Sequence, residues 1–157
     1  MAMPALGSNA PDFTLLDSYS EKLSLASLKG KWVVLYFYPK DDTPGCTTEA
    51  LEFTLLKDEF ASLNAVVLGI SKDSCQSHEK FVLKHHLGIT LLSDPDNAVI
   101  DAYGAWGPKK MYGKEFMGIT RSTVLIDPTG KISACWDKVK AGGHAQEVLS
   151  ALRQRQG

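Results

Sequence analysis

Cysteine is scarce: the chain holds three, Cys46, Cys75 and Cys135, and no Cys-x-x-Cys pair. An odd, scattered set argues against a disulfide framework and a thiolate zinc site. It leaves free thiols, one of them a candidate for catalysis. Long apolar runs are missing too, since no stretch approaches the ~20 residues that a membrane helix needs. The start, Met1-Ala2-Met3-Pro4, has no basic segment leading into an apolar one, so no signal peptide is expected and the cytoplasm is the expected compartment. Charge of one sign is not in excess: 17 Lys and Arg face 18 Asp and Glu, for a net charge of -1. The tightest basic cluster, Lys109-Lys110 with Lys114, is too short for a nucleic-acid patch. Repeats, low-complexity tracts and linkers are absent, so residues 1–157 are expected to form one domain. At 44% hydrophobic residues, that length suffices for a real core.

What is present is a set of buried-strand patterns separated by helical ones. The β-rich runs 32–38, 65–71 and 121–126 are continuously apolar rather than alternating, as strands covered on both faces are. Residues 47–60 carry Phe53, Leu56 and Phe60 at helical spacing. Residues 74–86 carry His78, Phe81, Val82 and His85 on one side, and Ala145, Val148, Leu149 and Leu152 mark a last amphipathic helix. Alternating strands and helices predict parallel pairs joined by right-handed crossovers. Asp127-Pro128-Thr129-Gly130 reads as a type I turn that folds residues 132–136 back antiparallel, with Ile132, Ala134 and Trp136 on one face and Cys135 on the other. The expected fold is α/β and thioredoxin-like: a mixed central sheet, helices on both faces and a β-rich extension before residue 30. Residues 106–118 read as a loop whose Met111, Tyr112, Phe116 and Met117 either rim a pocket or pack the loop down.

The stretch KDDTPGCTTEA, residues 40–50, sets Cys46 where a central strand ends and a helix begins. Ligands in open α/β sheets favour that edge. A free thiol is only ~3% ionised at pH 7. A helix amino end favours an anion by roughly 0.3–1 kcal/mol, up to ~2. A nucleophilic thiolate here therefore calls for a cationic partner as well. Thr43 is placed to set a hydroxyl beside the sulfur, while Pro39 and Pro44 stiffen the loop. The histidines offer no evident metal site: His78 and His85 are too far apart along one helix, His86 faces elsewhere, and His144 starts the last helix.

Pro39-x-x-x-Thr43-x-x-Cys46 resembles the active-site motif of peroxiredoxins, and the fuller FYPKDDTPGCTTEA resembles their Q-type branch, the bacterioferritin comigratory proteins. Four further segments match in order: APDFTL, GISKDSCQSHEKF, LLSDPDNAVIDAYGAW and GITRSTVLIDPTGKI; KVKAGGHAQEVL completes the set. The resemblance implies a thioredoxin-like fold and a thiol-dependent peroxidase acting on hydrogen peroxide and organic hydroperoxides through a Cys46 sulfenic acid, without cofactor or metal. It also implies that Arg121 is the missing cation and that Glu49 holds Arg121 and the loop. Members of this branch are often monomers, so a monomer is expected.

One departure from the family is plain. Resolving cysteines in this branch stand five residues after the reactive one or on the second helix, positions held here by Leu51 and Val82. Cys75 lies two turns before Val82, roughly 10 Å along a helix axis, and Cys135 reads as incidental. The first reading is a one-cysteine cycle with thioredoxin, glutaredoxin or glutathione as reductant; the alternatives are Cys75 as resolving cysteine, or a peroxide-sensing redox switch.

Overall fold

The computed structural model describes residues 3–156. Its frame is a seven-stranded mixed sheet built from β1 (Thr14–Asp17), β2 (Lys22–Ser24), β3 (Trp32–Phe37), β4 (Ala65–Ser71), β5 (Thr90–Ser93), β8 (Ser122–Ile126) and β9 (Ile132–Trp136), in the order β2-β1-β5-β4-β3-β8-β9. Strands β3, β4 and β5 run parallel; β8 runs antiparallel to β3, and β9 antiparallel to β8. The helices are α1 (Pro44–Leu55), α2 (Lys57–Ser62), α3 (Cys75–His85), α4 (Ala98–Ala102) and α5 (His144–Gln156).

Strand β3 shows why its sequence is continuously apolar. Val34 and Tyr36, with Tyr38 beyond, enter one core; Val33, Leu35 and Phe37 enter the other. The first core is covered by α1, α2, α3 and α5 through Ala50, Phe53, Phe60, Phe81, Val148 and Leu149. The second is closed by α4, a 3-10 turn at Leu25–Leu28 and the chain around Phe13 and Tyr103. Helices thus lie on both faces, but unequally.

Four sequence expectations need correction. The helix read over 47–60 starts earlier and is broken: Leu56, at φ -98° and ψ 5°, ends α1 and begins α2. With that break Phe53, Leu56 and Phe60 still pack into one core. The loop read over 106–118 is a hairpin of β6 (Trp106–Met111) and β7 (Lys114–Ile119), closed by Tyr112-Gly113, both at positive φ as a type I′ turn requires. Pro108 and two glycines hide this strand pattern in the sequence. Met111, Tyr112, Phe116 and Met117 are exposed, so they do not pack the segment down. Finally, the register of β8 and β9 shifts between Leu125 and Ile126. Ile132 therefore joins the core that Cys135 borders, while Ala134 and Trp136 face the other.

Gly69 on β4 pairs with Tyr36, and a Cβ there would stand 2.7 Å from the Tyr36 ring and 2.9 Å from Leu91 Cδ2. Both neighbours are fully buried. Gly69→Ala is expected to destabilise the fold by about 1–3 kcal/mol through overpacking. Urea denaturation would show this as a lower midpoint at unchanged slope.

Candidate active site

The site follows from strand direction. Parallel pairing ends β3 beside β4, at Phe37 opposite Ile70, and antiparallel pairing sets Phe37 opposite Ser122, the first residue of β8. Residues just after β3 and just before β8 therefore meet at one sheet edge, although 75 positions separate Cys46 from Arg121. Pro44 opens α1 at a position where its missing N–H costs no helical bond. Cys46 then lies in the first turn, facing inward and only 1% exposed.

Arg121 joins the pieces. Its Nη2 donates to Cys46 Sγ at 3.3 Å and its Nη1 donates to Glu49 Oε1 at 2.6 Å. Gly45 permits this approach: a Cβ on it would lie 3.1 Å from Arg121 Nη2 and 4.0 Å from Ala141 Cβ. The Val139 N–H donates to the Arg121 carbonyl at 2.8 Å, so the segment before α5 braces the arginine as well. Burial draws the guanidinium pKa down, but the charges of Glu49 and Cys46 outweigh it and hold the group above its ordinary value. Arg121 thus presents a fixed, permanently charged fork to the sulfur.

Glu49 is fully buried, and its Oε2 has no hydrogen-bond partner among the described residues. Burial pushes its pKa up to about 7 against the pull of Arg121. Thr43 caps α1 by backbone position but makes no side-chain cap bond; its hydroxyl donates to the Lys40 carbonyl at 2.8 Å. The loop is thereby closed on itself, and the thiolate contact expected of Thr43 is replaced by a loop-shaping one. Pro39 is half-buried at the bend leaving β3.

Two elements were not legible from spacing. Lys109, on β6, donates to the Ile119 carbonyl at 2.8 Å, two residues from Arg121. Burial and the neighbouring Arg121 lower its pKa while Cys46 raises it, so it adds a second cation to the field around the sulfur. His78, read as one side of the 74–86 helix and set aside as a metal ligand, pairs with Asp41 at 2.7 Å, and Asp73 stands close by. Asp41 and His78 bond each other, and with them Tyr38, Ser77 and the Leu92 carbonyl, while Asp73 Oδ2 accepts from the Asp41 N–H and from Ser71. Cys75, at the start of α3, is half-buried, and Leu51 is exposed on α1.

A guanidinium set between a buried cysteine and a buried glutamate, at the carboxyl end of a central strand, is the arrangement the motif implies. The sequence profile of the AhpC/TSA family matches residues 6–135. The chain belongs to the AhpC/TSA family. Within it the chain is similar to the peroxiredoxin bcp relative of Coxiella burnetii, 52% identical over 94% of this chain and 97% of the relative. It is also similar to peroxiredoxin Bcp of Bacillus subtilis, 47% identical over 94% of each. The structure of Xanthomonas campestris bacterioferritin comigratory protein, studied for its alkyl peroxide reduction activity, superposes over 100% of both chains with a TM-score of 0.91 at 42% identity. The thioredoxin-like α/β fold and the Q-type resemblance read from the sequence therefore stand.

Folding raises the Glu49 pKa from 4.5 to about 7, so between those values the native protein binds more protons than the unfolded chain. The stability this group contributes is fullest below the window and falls as pH rises through it, by about 3 kcal/mol in all. Glu49→Gln is expected to flatten that decline. Urea unfolding of both proteins at pH 5 and pH 8 measures the difference.

Proposed function

We propose that this chain is a thiol-dependent hydroperoxide reductase in which Cys46 attacks hydrogen peroxide or an organic hydroperoxide. The Arg121 guanidinium, shared between Cys46 Sγ and Glu49 Oε1, is the observation that carries the reading. The sulfur lone pair forms a bond to the terminal peroxide oxygen, the O–O bond breaks, and the departing oxygen takes a proton to leave as water or alcohol. Cys46 is then a sulfenic acid. Negative charge moves from sulfur toward the leaving oxygen, and donors fixed along that path stabilise the change. Arg121 is aimed at its start; Lys109 adds positive potential nearby. Pro39 and Thr43 shape the loop, and Glu49 orients Arg121.

A one-cysteine cycle fits the positions of the other thiols. Cys135 borders the core on the far side of the sheet from Cys46, 3.6 Å from the Pro4 carbonyl, and burial pushes its pKa up. The sheet stands between them. Cys75 is the second reading, favoured by its half-exposed place at the amino end of α3. In the first reading an external thiol, from thioredoxin, glutaredoxin or glutathione, attacks the sulfenate sulfur. A disulfide forms and water leaves, and a second thiol frees Cys46. The protein acts as a cytoplasmic monomer in this reading; among the described residues no helix is long and apolar enough to cross a membrane.

Cys46→Ser is expected to abolish peroxide reduction, whereas Cys75→Ser retains it. Arg121→Lys, which keeps charge but loses the fork, is expected to lower the rate of Cys46 oxidation by about 10²–10³. Intact mass and a free-thiol count after one equivalent of peroxide decide the cycle. A trapped sulfenate with two thiols remaining supports one cysteine; loss of two thiols in a monomer supports Cys75.

A further inference from the structure

One guanidinium stands between two buried groups that are each anionic in one protonation state. Arg121 donates to Cys46 Sγ through Nη2 and to Glu49 Oε1 through Nη1. Cys46 and Glu49 are three residues apart in α1, a spacing that sets side chains on one helix face, and both are buried. With thiolate and carboxylate both ionised, one cation faces two anions, and an uncompensated negative charge lies away from water. With only one of them ionised, the trio is neutral. Buried charge is tolerated when it is paired, and like charges crowded into one site do not readily ionise together. The free oxygen of Glu49 points the same way. Oε2 is buried and accepts no hydrogen bond among the described residues. A carboxylate is an acceptor at both oxygens, whereas a neutral carboxyl carries its proton on one and leaves the other to accept from Arg121.

The neighbours on each side add to this imbalance. Burial is the first cause of the raised Glu49 pKa, Arg121 opposes it, and Glu52 on the same helix adds to the rise. Tyr36, on β3, is buried with its hydroxyl unpartnered among the described residues; burial and the charges of Glu49 and Cys46 hold its pKa well above the ordinary value, so it stays neutral. His144 opens α5, and burial lowers its pKa, which keeps it uncharged at neutral pH. Lys109, on β6, feels the charge of Cys46, so its positive potential falls on the sulfur.

We propose that Glu49 is the proton store of the Cys46 cycle, a neutral carboxyl while Cys46 is a thiolate and a carboxylate once the sulfur is oxidised. The oxidation step rests on the peroxidase reading; the sharing of one negative charge between Glu49 and Cys46 does not. Attack by the thiolate forms the S–O bond and breaks the O–O bond, and the electron pair leaves on the distal oxygen. The hydrogen of the attacked oxygen moves to that leaving oxygen, giving water or alcohol and a sulfenate anion. The Glu49 proton then passes to the sulfenate, and the carboxylate takes over as the anion paired with Arg121. One cation and one anion are present before and after, so the buried trio stays neutral and draws no proton from solvent. Reduction runs the balance backwards. A first thiol forms an S–S bond with the sulfenic acid as water leaves, and a second thiol expels Cys46 as thiolate while its proton returns to Glu49.

The test follows the C=O stretch of protonated carboxyl groups by infrared difference spectroscopy on the full chain, titrated from pH 5 to pH 9. Cys46→Ser supplies the reference in which no charge sits at the sulfur position, and there the Glu49 band is expected to titrate near its printed midpoint of about 7. In the reduced wild type the midpoint is expected at least about one unit higher, the mark of two coupled sites. One equivalent of hydrogen peroxide should then erase that difference, with the sulfenate verified by trapping and intact mass. Glu49→Gln identifies the band, since Asp94, the other buried carboxyl with a raised pKa, contributes equally to every sample. An indicator dye in weak buffer at neutral pH gives a second readout: no proton taken up per oxidised sulfur in the wild type, and one in Glu49→Gln. Equal midpoints in the reduced wild type and Cys46→Ser would overturn the proposal, as would a band that persists in the trapped sulfenate. A Glu49 that only holds Arg121 in place gives those same flat results. If Glu49→Gln does not fold, the wild type and Cys46→Ser decide alone. A wild type that shows the raised midpoint but never reacts with peroxide would overturn the peroxidase reading and the store with it, and leave the shared charge standing.

Discussion

The contact on which this molecule turns is a positive charge held under cover. Arg121 reaches Cys46 at 3.3 Å and Glu49 at 2.6 Å in a place where neither thiolate nor carboxylate has much water. Burying charge is costly unless it is paired and hydrogen-bonded. Here one guanidinium serves two potential anions, and the remaining oxygen of Glu49 goes without a partner among the described residues. The structure retains an imperfectly satisfied carboxyl to keep the fork aimed at sulfur. Much of the surrounding architecture serves that aim: the antiparallel run of β8 against β3, Pro44 starting the helix, Gly45 without a side chain, and the Val139 brace.

The division of the chain into two cores has a chemical side. Strand β3 sends alternate side chains to each, and the reactive cysteine lies in the helix-covered one, with Phe53 stacked on Tyr36 at a centroid distance of 4.8 Å beneath it. The other core carries no part of the Cys46 and Arg121 contact and closes through α4 and the chain around Phe13 and Tyr103. Its Cys135 is shielded from Cys46 by the full thickness of the sheet.

Legibility in the sequence followed the range of the interaction. Local signals were clear: buried-strand runs, the Asp-Pro-Thr-Gly turn and the amphipathic last helix all depend on neighbours within a few positions. Cys46 and its helix start were local too, and the family motif supplied Arg121, which no periodicity distinguishes from a surface cation. The hairpin of β6 and β7 was hidden because Pro108 and its glycines mimic a loop. The Leu56 break was hidden because the apolar spacing runs through it. The shift at Ile132 turned a correct strand into a wrong face assignment. Asp41 and His78 were out of reach because residues 37 apart declare nothing about each other until the sheet brings them together.

The interruption at Leu56 has a mechanical meaning. Helix formation is cooperative, so unwinding begun at one end tends to run on while the ladder is continuous. Here the ladder is cut: Leu56 donates to Glu52 and Phe53, and α2 begins a fresh set of bonds with Phe60 as its own foot in the core. Motion that starts at Pro44 meets a firebreak before it reaches the strand-bearing half of the molecule. Unwinding at the Cys46 end would therefore be confined to one short helix, with the foundations left standing.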